Sequence, residues 1–553
     1  MRSGLSEAAQ RSSNASRRLA LHADCPVSSP PIKFPSDSSQ SQTRGEKAPE
    51  RASSYKEELE SDLGTLHLGF QLCLARLSVV VLSSAHIGSV AFADQVLFDE
   101  DLSHYRTKDG CYVWRPSEHQ ADHPGPTTAA AQGVTSVTPV AMIVDALDIL
   151  LDRLANKISM DHVQSIGVCA ESDWPVYLSG RAEKVLHDLR PTVGLHVQLT
   201  VPDFFSAPFI SNINDSSTLD EMRMIEAALE AKMKGAMMNG STLISAPSAM
   251  PSSEFGVHSN LFGTEVAKAM NRKRCQAIRQ AAAQKNGAAP SFSGWACQLA
   301  KLRNGKGVGM EGRSAAILDI KKVWSNTGRM ITAGSLICAV LTNKMPSFNH
   351  TEAAMTGLYD PEAREWDQQM LDICSSGEGQ VLRQKLGDIA HLDACATPAG
   401  SWLCQKYGVQ QSCVIGPSLP SSVVAYMGML PGPRDGGISL SVHDTMIIPL
   451  RSKVKAPGHS LLPNPLHELS SQSTDVVDTR AQPWLALSRW QDAGLARKIV
   501  KDVYCSGLWS AFGKLVNAVG VGGSHALDNK LFTVSGGQVS ALNLDLQRRK
   551  IVC

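Results

Sequence analysis

Thr65-Leu66-His67-Leu68-Gly69-Phe70, Ser78-Val79-Val80-Val81-Leu82-Ser83 and Gly88-Ser89-Val90-Ala91-Phe92-Ala93-Asp94-Gln95-Val96 follow one another with short breaks between them. Each run has the length of a strand, and the breaks are short enough for tight turns. The three predict a meander that opens a mixed sheet. The period then changes. Val137-Thr138-Pro139-Val140 leads into a stretch reaching Leu154 whose apolar positions recur at helical spacing, with the proline where a helix start tolerates it. In the C-terminal third, the strand-like runs 438–442 and 445–448 alternate with the helical 495–503 and 508–516. Strands and helices in alternation predict an α/β architecture.

The rest of the composition bounds the function. At 553 residues the chain is long enough for several folding units or two large ones. Its 53 Lys and Arg against 52 Asp and Glu leave a formal charge of +1, so no basic field favours nucleic acid and none is expected as a partner. The thirteen cysteines are scattered and form no pair with zinc-site spacing, which reads as reduced thiols in a cytosol-like compartment. The longest apolar runs, 77–82 and 141–151, fall short of the roughly 20 residues that span a bilayer. No membrane span is expected. Residues 1–62 are rich in Ser, Pro, Arg and Lys with little to bury and read as a disordered tail, an organellar transit peptide being the alternative. The polar stretch 117–128, with Pro124-Gly125-Pro126, reads as a loop. Two stretches, the small and polar 237–253 and the aperiodic 328–358, read as insertions, surface loops or segments introduced by a faulty gene model.

Several segments, taken in order, resemble the FGGY family of carbohydrate kinases, and within it the eukaryotic xylulokinases. The most specific is Val96-Leu97-Phe98-Asp99-Glu100-Asp101-Leu102-Ser103-His104-Tyr105-Arg106-Thr107-Lys108-Asp109-Gly110. Leu68-Gly69-Phe70 before it, Asn214-Asp215-Ser216-Ser217-Thr218, Leu318-Asp319-Ile320, Gln405-Lys406-Tyr407-Gly408 and Ala493-Gly494-Leu495-Ala496-Arg497 after it fall in the family's order, from about residue 64 to 517. The resemblance implies an α/β protein with two domains of the actin-like, ribonuclease H-like fold and a cleft between them. The first domain would run over 63–400, and the second, incomplete, over 401–553. It further implies ATP and Mg²⁺ as cofactors, D-xylulose as the sugar and a cytoplasmic location. Phosphoryl transfer of this kind needs a carboxylate to accept the hydroxyl proton, a metal on the polyphosphate and backbone N–H groups around the phosphates.

Carried over position by position, the resemblance places the candidate residues and exposes where this chain departs. The first phosphate hairpin, which in the family bears an acid and then small hydroxyl residues, holds Gln71, Cys73 and Leu74. Gln71 brings no charge for a hydrated Mg²⁺. The second hairpin has Ser441-Val442-His443-Asp444-Thr445; Ser441 replaces a glycine and Val442 a hydroxyl, while Asp444 and Thr445 persist. On the sugar side, Asp173 occupies a histidine position, Asn260 an arginine position, and Asp215 matches. Asp173 also reads as a solvated loop acid and Asp215 as a turn former. The hinge segment Gly-Asp-Asn-Pro becomes Pro417-Ser418-Leu419-Pro420, so Ser418 and Leu419 stand where two polar sugar contacts are expected. Glu311, in a Gly-containing segment, is the candidate proton acceptor, or else an exposed loop acid. Trp509 matches a tryptophan beside the nucleotide base, with core packing as the alternative. Gly522-Gly523 or Gly536-Gly537 corresponds to the adenine-binding glycine pair, or to plain turns.

Two functions follow from these residues. One is a kinase moving the ATP γ-phosphate to D-xylulose, giving D-xylulose 5-phosphate. The other is a catalytically impaired relative or defective gene product, motivated by the coincident changes at Gln71, Leu74, Ser418, Leu419 and Val442.

Overall fold

A computed structural model of the protein describes residues 64–85, 90–114, 134–171, 174–238, 279–280, 283, 287, 291, 294–304, 320–432, 434–440, 443–456, 458–470, 481–490 and 493–518. The tail 1–62, the stretch 117–128 and nearly all of 237–253 lie outside the described residues. In chain order the strands used below are β1 (Leu66–Cys73), β2 (Arg76–Ser83), β3 (Val90–Leu97), β4 (Tyr112–Trp114), β5 (Thr135–Pro139), β6 (Val163–Ala170), β7 (Pro175–Ser179), β8 (Phe209–Ser211) and β9 (Thr327–Thr332). They continue with β10 (Val414–Pro420), β11 (Gly437–Ser439), β12 (Asp444–Leu450), β13 (Ser460–Pro463) and β14 (Trp484–Trp490). The helices that matter are α1 (Val140–Ala155), α2 (Leu219–Met238), α3 (Trp295–Arg303), α4 (Ala333–Thr342), α5 (His350–Met355), α6 (Ser421–Gly428), α7 (Ala493–Tyr504) and α8 (Trp509–Ala518).

The meander forms as the periodicity predicts. Along β1 the even positions Leu66, Leu68, Phe70 and Leu72 are buried, and β2 buries Leu77, Val79 and Val81 in the same alternation. β1 pairs antiparallel with β2, β2 antiparallel with β3, and β1 parallel with β6, which in turn lies parallel to β10. The sheet order, with the two-residue strand Thr397–Pro398 at one edge, is 397–398, β10, β6, β1, β2, β3. A three-stranded antiparallel meander extended by two parallel strands on the side of its first strand is the ribonuclease H-like arrangement. α1 packs on β2 and β3 and buries a stripe of Val140, Ile143, Val144, Leu147, Leu151 and Leu154. α4 packs on β6 and β10. The second large sheet is antiparallel throughout in the order β11, β12, β14, β13, with α7 and α8 following β14.

The segment 96–110 shows why its residues travel together. Asp99 accepts hydrogen bonds from the Thr107 hydroxyl and from the backbone N–H groups of Asp109 and Gly110. That closes the loop, and Gly110, at φ +74°, lies against the carbonyl of Leu74 in the β1–β2 turn. A Cβ there would sit 1.9 Å from that oxygen, so only glycine fits. Asp101 binds Arg153 of α1 at 2.6 Å, tying the same loop to the helix.

One expectation is corrected. Residues 328–358 are not a surface loop: they supply most of β9, all of α4 and all of α5. Every residue of α4 is buried. The segment lacks a polar face, so it shows no amphipathic period, and that is the mark of an element enclosed on all sides.

Candidate functional site

β6 and β10 run parallel and end side by side, Ala170 opposite Pro420. Ser418 lies just before that end and is buried, and Leu419 is half-buried. α4 starts against them so closely that a Cβ on Gly334 would fall 2.1 Å from the Ser418 Oγ and 3.0 Å from the Ala170 Cβ. The start of α5 closes the same spot. Asn349 caps the helix by accepting from the Glu352 N–H at 2.9 Å, and its side-chain amide donates to the Ser418 carbonyl at 2.8 Å.

Glu352 is the group that this arrangement encloses. It is 2% exposed, and its carboxylate accepts from the hydroxyls of Thr332 and Ser335, with the Ser418 hydroxyl close by. Burial lifts it to about 7 from an ordinary 4.5, the three hydroxyls pulling the other way. The thiols of Cys338 and Cys395 are also near, each raised first by its own burial and then by the Glu352 charge. Sequence reading passed over Glu352 because 328–358 looked like an insertion. The signal was present: Asn349-His350-Thr351-Glu352 has the spacing of a capping box, in which the fourth residue reaches back to the first.

The two hairpins expected to hold phosphate lie on different sheets. In the first, Gln71 is half-buried and stands opposite Cys169 of β6. Cys73 is raised first by burial, with Arg76 pulling it down and Glu171 pushing it up. In the second, Asp444 is held by Arg497 of α7 through both guanidinium nitrogens, one of them at 2.6 Å. Thr445 pairs with Arg489 of β14, and Arg489 reaches across to Glu171 at the end of β6, Nη2 to Oε2 3.8 Å. Trp509 begins α8 half-exposed, edge-on to Phe512 and beneath the ammonium of Lys501 at 5.3 Å.

Asp215 follows β8 and is buried, with the Lys301 ammonium of α3 at 3.7 Å. One of its oxygens accepts from the backbone and side chain of Ser217, whose hydroxyl also accepts from Lys301 at 2.7 Å. Its charge adds to the burial that raises the Tyr177 phenol. The other oxygen, Oδ2, is buried without a hydrogen-bond partner, its nearest charge being Lys301. Glu311, Asp173, Asn260, Ser441, Gly522, Gly523, Gly536 and Gly537 lie outside the described residues.

Among the described residues, no group of three or more His, Cys, Asp or Glu gathers to hold a metal. The donors near the hairpins are hard oxygens, the Glu171 carboxylate and the Thr445 hydroxyl. A carboxylate with hydroxyl groups nearby fits a Mg²⁺ carried mainly by phosphate and its own water.

No family model matches the chain. It is 25% identical over 456 residues to xylulose kinase 2 of Arabidopsis thaliana, covering 81% of this chain and 64% of that protein. With the xylulose kinase of Saccharomyces cerevisiae it shares 20% identity over 408 residues, 73% of this chain and 54% of that one. It thus spans less than two thirds of the length of either relative. The crystal structure of a xylulose kinase from Rhodospirillum rubrum superposes with a TM-score of 0.50 at 10% identity, over 82% of this chain and 66% of that one. The chain therefore has the two-domain, actin-like fold of the FGGY sugar kinases, and in sequence it resembles the xylulose kinases.

Proposed function

We propose that the chain is an ATP-dependent carbohydrate kinase of the xylulokinase type, transferring the γ-phosphate to D-xylulose to give D-xylulose 5-phosphate. The observation that carries this reading is the parallel pair β6 and β10 beside the β1–β2 hairpin. Its ends bring Glu171 and Ser418, which the resemblance matches to sugar-cleft and hinge segments, to one end of the sheet, and Glu352 packs beside Ser418. In this reading ATP lies against Cys73, Thr445 and Trp509 with Mg²⁺ on its phosphates. Glu311 takes the hydroxyl proton, and Asp173, Asp215, Asn260 and Ser418 contact the sugar. Ten described cysteines are all free thiols, which fits a cytoplasmic setting. No helix among the described residues is long and apolar enough to cross a membrane.

A second reading, an impaired relative without kinase activity, is favoured by one specific observation. Ser418 and Leu419 put no carboxylate on the hinge strand, and Ser418 is buried beside Glu352. A coupled ADP-release assay with Mg²⁺, D-xylulose and a panel of other ketoses and polyols separates the two, run beside Glu311→Ala. Sugar-dependent turnover that Glu311→Ala abolishes supports the kinase and its base. Absence of turnover in protein that melts cooperatively sinks the kinase reading and leaves the second.

A further inference from the structure

Each phosphate hairpin of this chain lacks a group that the chemistry calls for, yet a charge stands one strand away from each. On the first sheet the parallel register runs Gln71 to Cys169 and Leu72 to Ala170, so the next step sets Cys73 beside Glu171. Burial raises the Cys73 and Cys169 thiols, and the Glu171 charge, near enough to act on both, adds to it. On the second sheet Arg489 stands directly opposite Thr445, so the two side chains share one face. The Arg489 side chain is 16% exposed and that of Glu171 33%, and they meet at 3.8 Å. This separation is within ion-pair range but too long for a hydrogen bond. The pair therefore joins the neighbourhoods of the two hairpins.

Resting on the kinase reading above, we propose that Arg489 and Glu171 are the charged groups of the nucleotide-phosphate site. The Arg489 guanidinium binds phosphate oxygens of the nucleotide, and the Glu171 carboxylate orients the water shell of a phosphate-bound Mg²⁺. A guanidinium offers a planar fork matched to phosphate, and it supplies the donors that Val442 does not. One carboxylate suffices for a Mg²⁺ held mostly by phosphate and water, and Glu171 provides the charge that Gln71 lacks. Without nucleotide the two groups neutralise each other.

Isothermal titration of the full chain with ADP and ATP, each with and without Mg²⁺, tests this directly. Arg489→Met is expected to weaken nucleotide binding roughly 10- to 100-fold under both conditions, the loss of one or two charge-assisted hydrogen bonds. Arg489→Lys should fall between it and the wild type. Glu171→Gln should bind metal-free nucleotide at least as tightly as the wild type and lose the gain in affinity that Mg²⁺ brings. Wild-type affinity in a cooperatively melting Arg489→Met, or a full Mg²⁺ gain in Glu171→Gln, overturns the inference and leaves the kinase reading standing. A wild-type chain that binds neither nucleotide overturns both.

Discussion

The hydroxyl of Ser418, near the end of β10, lies close enough to the buried carboxylate of Glu352, in the first turn of α5, to favour its charged form. This contact joins the strand that carries the hinge segment to a helix that also touches the second sheet, where the Thr351 hydroxyl donates to the carbonyl of Pro463 at 3.0 Å. The hinge position is therefore held by a buried acid, and its charge state bears on stability.

Glu352 sits at about 7 in the fold against an ordinary 4.5. The folded state holds the proton more tightly than the unfolded one. The stability that this group contributes is complete below about pH 4.5 and is lost as pH rises through 7. The full swing is on the order of a few kcal/mol. Glu352→Gln, a neutral isostere, should gain in melting temperature over the wild type between pH 5 and 8. A difference that stays constant across that range would refute the assignment.

Gly334 admits no side chain while Ser418 keeps its rotamer. Gly334→Ala should lower stability by about 1–3 kcal/mol, because the new methyl meets the Ser418 Oγ and Ala170. Adding Ser418→Ala relieves the worst clash and should recover part of the loss. Urea midpoints for the three proteins decide it, and an unchanged midpoint in the single variant contradicts the packing described.

Lys301 and Asp215 are buried as a pair. Lys301→Met leaves a buried carboxylate without its cation and should cost about 3–5 kcal/mol. Asp215→Asn combined with Lys301→Met should cost much less than the two single changes added together. Strictly additive losses in denaturant titrations would show that the pair is not coupled.

Asp99 closes the 96–110 loop onto the β1–β2 turn. Asp99→Ala should cost about 1–3 kcal/mol and speed amide exchange at Gly110. Unchanged exchange there would mean that the carboxylate does not hold the loop.

The β1 to β3 meander and α1 were legible from residue order because each has one buried and one open side, so hydrophobic period reports directly on geometry. The Phe98 to Gly110 motif was legible as a resemblance, and the structure gives its cause in the Asp99 hydrogen bonds and the Gly110 backbone. α4 and α5 were not legible, since a helix buried on every side has no period to read. The Asn349 capping box was the local clue that remained.

The chain order alone determined the α/β class, the meander, the first long helix and the positions at which the hairpins depart from the sugar-kinase pattern. All of these depend on neighbours within a few tens of residues. Only the tertiary structure decided that Glu352 meets Ser418, that Lys301 meets Asp215 and that Arg489 reaches Glu171. Such partners lie far apart in sequence, and their meeting depends on which strand ends the parallel pairing brings side by side. Burial then sets the charge state: the same carboxylate that would ionise freely on a loop is pushed up to about 7 inside.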